Sequence, residues 1–100
     1  MDKRKAIEIA KRYKSLVQAQ FPLKLKALYL FGSYSKGGFT PESDIDIAVV
    51  VEPYTEDHIE TSSLLWKFGR MIDYLIEPVL LTENEDSPLY EDVIKTGILI

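Results

Sequence analysis

Hydrophobic residues recur at helical spacing near the start of the chain. Over residues 2–20 the apolar positions fall at i, i+3, i+4, i+7, i+10 and i+11. They are Ala6, Ile9, Ala10, Tyr13, Leu16 and Val17. This spacing places them on one face of an amphipathic helix. Pro22 follows, and because proline cannot continue a helix, the pattern predicts that the first element ends before it.

Two segments with the pattern of strands flank a loop. Residues 27–31 form a short, continuous apolar run bounded by Gly32, which is typical of a buried strand. Residues 32–43 are rich in Gly, Ser, Thr, Pro and Lys, the composition of a loop. Strand character returns in residues 44–51, where side chains alternate between two faces. One face carries Ile45, Ile47, Val49 and Val51, and the other carries Asp44, Asp46, Ala48 and Val50.

A second helix is predicted after Pro53, which ends the second strand. Thr55 is the expected N-cap, since Thr favours that position and two acidic residues follow it in the first turn. The helix is expected to run to about residue 67 or 68, with Gly69 near its C-terminus.

The last third of the chain predicts one more strand and one more helix. Residues 72–81 have strand character, and Pro78 within them indicates an edge or bulged position. A serine followed by a proline predicts the beginning of a helix over residues 88–96. Gly97 ends that helix and leaves residues 98–100 as an apolar tail.

The order of these elements is helix, strand, loop, strand, helix, strand, helix. It predicts an α/β or α+β fold in which helices cover a small mixed sheet. A length of 100 residues suits one domain, so we expect residues 1–100 to form a single domain.

Composition and charge exclude several classes of protein. There is no apolar run of about 18 residues and no apolar h-region near the N-terminus, so neither a membrane span nor a secretory signal is expected. Cysteine is absent, which removes disulfides and thiolate metal sites, and we expect a cytoplasmic protein. The net charge is -4, and the one dense basic stretch lies on the polar face of the first helix. A nucleic-acid partner is therefore not expected.

Asp44 and Asp46 are the first candidates for chemistry. In a strand they point the same way, about 6.6 Å apart at roughly 3.3 Å per residue. Two carboxylates on one face of an apolar strand repel each other and are costly to desolvate unless a cation or hydrogen bonds compensate. Mg²⁺ is the natural cation, because it prefers hard oxygen ligands. An isolated Asp-x-Asp pair, however, is more often a loop cap followed by a solvent-facing residue.

The loop before the pair favours the metal hypothesis. Gly32 follows a buried strand and lets the backbone turn sharply and approach a ligand closely. Ser33 can begin a short helical turn whose free N–H groups point at an anion, and its hydroxyl adds a donor. Lys36 adds positive charge to the same loop. A phosphate-binding loop and a metal pair would then be joined by ten residues.

This arrangement resembles a known signature. Gly32-Ser33, ten residues and then Asp44-Ile45-Asp46 are similar to the motif of the DNA polymerase β-like nucleotidyltransferase superfamily. Residues 32–50 resemble its minimal branch, and residues 76–79 and 95–98 resemble small bacterial and archaeal members. The resemblance implies the palm-like nucleotidyltransferase fold. Lys36 departs from the pattern, since minimal members often carry arginine there; lysine keeps the charge but loses the bidentate fork.

The resemblance also implies a third carboxylate on a neighbouring strand. Asp73 and Glu77 are four residues apart and would share a face of a regular strand. We favour Glu77, because it lies deeper in the apolar run and its Ile-Glu-Pro context matches the family. Its role would be that of a metal ligand or of a general base. Asp73 is more consistent with a turn residue at the strand entry.

The activity that the resemblance implies is nucleotidyl transfer. A nucleoside monophosphate, expected to be AMP from ATP, would move to a hydroxyl with release of pyrophosphate. Asp44 and Asp46 would hold two Mg²⁺ ions, with Glu77 at the catalytic one. The triphosphate would be bound by Gly32, Ser33 and Lys36. The chain offers no second lobe for an acceptor, and the resemblance suggests a partner of the HEPN type, whose tyrosine is modified in a toxin–antitoxin pair.

Two alternatives remain open from the sequence. The chain could neutralise a toxin by contact alone, and its apolar tail and small size would suit a homodimer or hetero-oligomer. It could also modify a small molecule, although such family members generally need additional structure for the acceptor. His58 and Trp66 are expected at the surface and in packing respectively, and a nucleobase contact by Tyr34 or Tyr54 is less favoured than an ordinary loop role.

Overall fold

A computed structural model describes all residues, 1–100, and contains four helices and four strands. In chain order they are α1 (Lys3–Gln20), β1 (Leu25–Phe31), α2 (Ser33–Lys36), β2 (Ile45–Val51), α3 (His58–Ile72), β3 (Ile76–Thr82), α4 (Pro88–Thr96) and β4 (Ile98–Leu99). No helix combines the length and the apolarity needed to cross a membrane.

The four strands form one sheet in the order β3-β2-β1-β4. β2 pairs parallel with β3 and antiparallel with β1, and β4 pairs antiparallel with β1. The sheet is therefore small and mixed, and helices pack against it, which confirms the predicted fold class. β2 is an inner strand, and its two neighbours in the sheet supply the rest of the candidate site.

One face of the sheet packs against α1 and α3 and forms the larger core. The predicted apolar face of α1 is buried there, except that Leu16 is only half-buried. β2 contributes the four residues predicted to share its inner face, Ile45, Ile47, Val49 and Val51, all of them fully buried. Burial of these β-branched side chains is what fixes the register of β2, because a shift by one residue would move both aspartates into the core.

The opposite face of the sheet is covered only in part, by α4. A smaller cluster there consists of Ala48, Val50, Leu81, Tyr90 and Val93. Asp46 shares this face of β2 with Ala48 and Val50, because side chains alternate along a strand. The acidic pair therefore lies on the less covered face, beyond the part that α4 covers.

The boundaries of α3 differ from the prediction. Its N-cap is Asp57, whose Oδ1 accepts a hydrogen bond from the Glu60 N–H at 2.9 Å, and not Thr55. Gly69 lies inside the helix, which continues to Ile72. A Cβ at Gly69 would lie 3.1 Å from Cγ2 of Ile76, so this glycine allows α3 to pack closely on β3 and does not end the helix.

The two edge strands of the sheet, β3 and β4, can be compared with the predictions for residues 72–81 and 98–100. Pro78 lies in the edge strand β3, as predicted, and β3 begins at Ile76, later than expected. Part of the predicted tail is not free, because Ile98 pairs with Leu30 and Leu99 with Tyr29 to form β4. A two-residue strand has no periodicity of its own, so the sequence pattern could not indicate it.

Two buried tyrosines allow a matched test of how much a buried hydroxyl group contributes to stability. The Tyr13 hydroxyl donates to the Leu65 carbonyl at 2.8 Å, whereas the Tyr34 hydroxyl has no partner in the protein. We expect Tyr13→Phe to lower the free energy of unfolding by about 1 kcal/mol, the usual net contribution of one hydrogen bond. Tyr34→Phe should leave it unchanged or raise it, because a buried hydroxyl without a partner carries an uncompensated desolvation cost. Urea unfolding measures both; an equal loss in the two variants would contradict this assignment.

Candidate active site

The turn after β1 brings the backbone against the acidic pair. Gly32 has φ 71° and ψ -142°, a conformation that is essentially restricted to glycine. A Cβ at this position would lie 2.2 Å from Oδ2 of Asp46, so the close approach also excludes a side chain. Phe31, the last residue of β1, pairs with Asp46 across the sheet. Glycine is thus required here for two independent reasons.

Gly32 leads directly into the short helix α2. The N–H groups of Ser35 and Lys36 donate to the Gly32 carbonyl at 3.1 and 3.0 Å. The predicted loop therefore begins with one helical turn, at the residue where the sequence allowed for it. The first N–H groups of such a turn have no partner within it. With the Ser33 hydroxyl, they are the donors that this turn can offer to an anion.

The two aspartates lie at the beginning of β2, on the partly covered face. Asp44 is exposed and directly precedes the strand, and Asp46 is half-buried within it. Burial raises the pKa of Asp46, and the negative charge of Asp44 raises it further. The mutual repulsion expected from their spacing is therefore present.

Glu77 completes a group of three carboxyls. It lies beside Asp46 in the parallel register of β2 and β3. A hydrogen bond with the Asp44 carboxyl raises the pKa of Glu77, burial and the charges of Asp44 and Asp46 raise it further, and the Arg70 guanidinium lowers it. The negative charges of Asp44 and Asp46 therefore disfavour ionisation of Glu77, as expected for carboxyls at the same end of the sheet.

Asp73, the other candidate for the third carboxylate, has a structural contact instead. Its Oδ1 accepts a hydrogen bond from the Leu75 N–H at 2.8 Å, which closes the turn between α3 and β3. This contact matches the turn role that the sequence favoured for Asp73. Glu77, by contrast, lies beside Asp46 in the parallel register of β2 and β3.

The three carboxyls fit a divalent cation by their chemistry. They supply hard oxygen donors, and a cation among them would relieve the repulsion and desolvation that raise the pKa values of Asp46 and Glu77. The side chains are not arranged as a finished set, since no three His, Cys, Asp or Glu groups stand close enough to hold one ion together.

Lys36 is oriented differently from the other candidates. Its ammonium forms an ion pair with Oδ2 of Asp92 at 2.7 Å, which links α2 to α4. Both side chains are about half-exposed. The structure therefore brings Gly32, Asp44, Asp46 and Glu77 together, places Ser33 next to them, and leaves Lys36 bound to a helix on the same side of the sheet.

Two charged residues near the candidate site were missed by the sequence reasoning. Arg70 is the cation that lowers the pKa of Glu77, and Asp92 binds Lys36. No local signal marks either residue, because each meets its partner through the fold. Tyr54, by contrast, hydrogen-bonds His58 at 2.6 Å and lies past the far end of β2 from Asp44, so it is not part of this group.

Cavities do not mark this site. The chain has two shallow surface cavities, of about 250 and 290 Å³. The first lies around Lys24, Glu52 and Tyr54, and the second lies along α3 from Ile59 to Lys67. Neither contains a carboxyl of the group of three. The site is therefore defined by its side chains and by the Gly32 turn.

Residues 5–100 match the family model described as polymerase beta, nucleotidyltransferase. The chain belongs to this nucleotidyltransferase family. The match covers nearly the whole chain, including the Gly32 turn and all three carboxyls. This match confirms two predictions from the sequence: that the chain belongs to this family, and that it is a nucleotidyltransferase.

Named relatives of this nucleotidyltransferase include protein adenylyltransferases. A Methanocaldococcus jannaschii protein provisionally named as one is 27% identical over 94 residues, which cover 92% of this chain and 95% of the relative. The protein adenylyltransferase MntA of Shewanella oneidensis is 38% identical over 74 residues. That match covers 74% of this chain and 52% of MntA.

Solved structures give the same family. A Sulfolobus solfataricus protein provisionally described as a nucleotidyltransferase superimposes with a TM-score of 0.71 at 27% identity, over 97% of this chain and 80% of that one. A chain of a toxin–antitoxin complex with AMP-PNP gives 0.65 at 30% identity, over 89% and 70%. A chain of the MntA–HepT toxin–antitoxin complex gives 0.61 at 27%, over 91% and 68%. The nucleotidyltransferase fold predicted for this chain is confirmed by these likenesses.

Proposed function

We propose that this nucleotidyltransferase is a Mg²⁺-dependent protein adenylyltransferase and acts as an antitoxin. It moves AMP from ATP to a tyrosine hydroxyl of a partner toxin of the HEPN type. The observation that carries the proposal is the meeting of the Gly32 turn with Asp44, Asp46 and Glu77 at one end of β2. The naming of relatives as protein adenylyltransferases supports the reaction, and the AMP-PNP complex of a similar chain supports the nucleotide.

The residues divide into two groups by role. Asp44, Asp46 and Glu77 would hold two Mg²⁺ ions, which would stabilise the charge on the attacking and leaving oxygens. The triphosphate is bound by the backbone at Gly32, by the Ser33 hydroxyl and by Lys36. For Lys36 this requires that the nucleotide share or replace its ion pair with Asp92, which is possible because exposed ion pairs are weak, about 0–1 kcal/mol.

The transfer itself needs a base for the acceptor. The hydroxyl oxygen forms a bond to the α-phosphorus as the bond to the bridging oxygen of pyrophosphate breaks. Glu77 takes the hydroxyl proton, because it is a carboxylate beside Asp46 at the reacting end of the sheet and a positioned carboxylate can act as a general base. Asp44 and Asp46 would serve as metal ligands.

The acceptor is supplied by another protein. The core cluster draws on α1, the sheet and α3 together, which supports one domain over residues 1–100. The site lies on the partly covered face of the sheet and not in a closed cavity, so a protein surface can reach it. The toxin–antitoxin complexes of similar chains support a toxin as that protein.

The test is transfer of label from ATP to a co-purified HEPN-type toxin. Label on the α-phosphate should appear on a toxin tyrosine by mass spectrometry, and label on the γ-phosphate should not, which separates adenylyl from phosphoryl transfer. Labelled toxin should also lose its toxicity. If the wild type transfers no label, or transfers it only to small hydroxyl compounds, this proposal is wrong. Neutralisation that persists without transfer would favour the contact hypothesis.

The acidic pair should also destabilise the protein when metal is removed. We expect Asp46→Asn to raise the melting temperature in EDTA at pH 7, because the asparagine removes the charge that burial and Asp44 disfavour. A carboxyl whose folded pKa is raised has its full stability cost above that pKa and loses this cost as the pH falls through it towards the unfolded pKa, so the difference from wild type should shrink over that interval. The effect should stay below about 1 kcal/mol, since the carboxylate is half-exposed.

Mg²⁺ provides the control for this stability prediction. Millimolar Mg²⁺ should raise the melting temperature of the wild type and leave that of Asp46→Asn nearly unchanged, because a ligand stabilises only the state that binds it. The same shift in both proteins would show that Asp46 does not bind the metal. Differential scanning fluorimetry with and without Mg²⁺ is sufficient.

A further inference from the structure

Glu77 lies at the beginning of an edge strand. It is the second residue of β3, which has a neighbour only on its β2 side. The N–H of Ile45 in β2 donates to the Leu75 carbonyl at 2.8 Å. Because successive peptide groups alternate sides, the Ile76 carbonyl faces the free edge, where β2 cannot bind it. The placement of Glu77 against Asp46 therefore depends on a strand end that the sheet holds from one side only.

Arg70, in the last turn of α3, binds this free edge. Its guanidinium donates to the carbonyls of Tyr74 and Ile76. A planar guanidinium with several donors can bind two acceptors in fixed geometry, whereas a lysine ammonium cannot. Cζ of Arg70 also lies 5.4 Å from the ring centroid of Trp66, a contact that restrains the side chain although it is exposed.

Neighbouring residues bring α3 and β3 close enough for these contacts. A Cβ on Gly69 would lie 3.1 Å from Cγ2 of Ile76, so the helix and the strand meet at this point. The connection between them, residues 73–75, is closed by the bond from the Leu75 N–H to Oδ1 of Asp73. Arg70 thus completes a turn that is otherwise held only on its inner side.

We propose that Arg70 is a positioning residue for Glu77. By binding the carbonyls of Tyr74 and Ile76, it fixes the start of β3 so that the Glu77 carboxylate meets Asp46. The inference rests on the proposed function, in which Glu77 is a metal ligand and the base. A helix-end contact without this role would affect stability alone, whereas a positioning residue also affects the affinity for a divalent cation.

The test compares Arg70→Gln and Arg70→Lys with Lys67→Gln, which removes a neighbouring exposed cation from the same helix. Mn²⁺ is the probe, with AMP-PNP present, and its binding is followed by electron paramagnetic resonance. Both Arg70 variants should bind Mn²⁺ about tenfold more weakly than the wild type, the usual effect of losing a residue that orients a metal ligand. Arg70→Lys should restore at most part of this affinity, because the ammonium lacks the planar fork that holds both carbonyls in fixed positions. Lys67→Gln should bind Mn²⁺ as the wild type does.

Hydrogen exchange in metal-free protein gives a second readout that does not depend on activity. In Arg70→Gln the amides at the start of β3 should exchange faster than in Lys67→Gln, while those of β1 stay unchanged. The role of Arg70 is refuted if its variants match Lys67→Gln in Mn²⁺ affinity to within about twofold, a change too small for a residue that orients a metal ligand. Full rescue by Arg70→Lys would also refute the bidentate contact.

The two proposals fail in different ways. A wild type that binds Mn²⁺ but transfers no nucleotide refutes adenylyl transfer and leaves the comparison of Arg70 variants decisive for positioning. A wild type that transfers label while Arg70→Gln matches it in Mn²⁺ affinity refutes the role of Arg70 alone. Absence of Mn²⁺ binding in the wild type refutes both.

Discussion

Asp44→Asn and Asp46→Asn should each reduce adenylyl transfer by about a thousandfold or more. Metal stabilisation of the reacting oxygens contributes several kcal/mol, and each 1.4 kcal/mol is about a factor of ten in rate. Asparagine keeps the size of the side chain and one oxygen but loses the charge that attracts the ion. Asp46 adjoins both Glu77 and Gly32, so its replacement should affect the proposed metal site and the Gly32 turn together. Initial rates with α-labelled ATP and a saturating acceptor measure this effect.

Other carboxylates of the same region provide matched controls. Glu42→Gln removes an exposed acidic residue from the loop before β2, and Asp73→Asn keeps an Oδ1 acceptor for the Leu75 N–H. Both should retain transfer to within a few-fold, whereas Glu77→Gln should approach the loss seen for the aspartate variants. Loss of activity in Asp73→Asn with full activity in Glu77→Gln would reverse the assignment of the third carboxylate.

Gly32→Ala should cost both stability and activity. The backbone conformation at this position disfavours any side chain by about 1–3 kcal/mol. The new Cβ would also lie 2.2 Å from Oδ2 of Asp46, so that carboxylate would have to move. We expect transfer to fall by about a hundredfold or more, since a displacement of about 1 Å at a reacting centre has effects of that size. Initial rates and urea unfolding measure the two effects.

Gly38→Ala is the control that separates backbone strain at a positive φ from a steric clash of the new Cβ. Gly38 also has a positive φ, 81°, but a Cβ there would meet nothing within 4 Å. The Gly38→Ala variant should lose stability, because alanine disfavours the positive φ, while retaining most of the transfer activity. If Gly32→Ala and Gly38→Ala have equal activity, the contact between the Gly32 turn and Asp46 is not important for catalysis, and the phosphate role of the turn is in doubt.

The sequence pattern was sufficient to predict those helices and strands whose conformation depends mainly on residues close together in the sequence. The apolar face of α1 follows from spacing alone, and so does the alternation of β2 that puts Asp44 and Asp46 on one face. The predicted boundaries of α3 were wrong because two local signals for the beginning of the helix had similar strength, and the signal for its end was misleading. Thr55 and Asp57 are both good N-caps, and Gly69 is an ordinary helix terminator in the absence of Ile76.

The sequence by itself determined the chemistry available to this protein: an acidic pair on one strand face, and a glycine turn at a fixed distance before it. Periodicity and motif spacing are local properties, so they can be identified from the sequence without knowledge of the fold. The sequence favoured Glu77 as the third carboxylate, but only the tertiary structure places it beside Asp46, through the parallel register of β2 and β3.

The fold likewise decided that Lys36 binds Asp92, 56 residues away, and that Arg70 closes the free edge of β3. These contacts join residues on different elements, and their geometry exists only after the core has packed and fixed the strands in register.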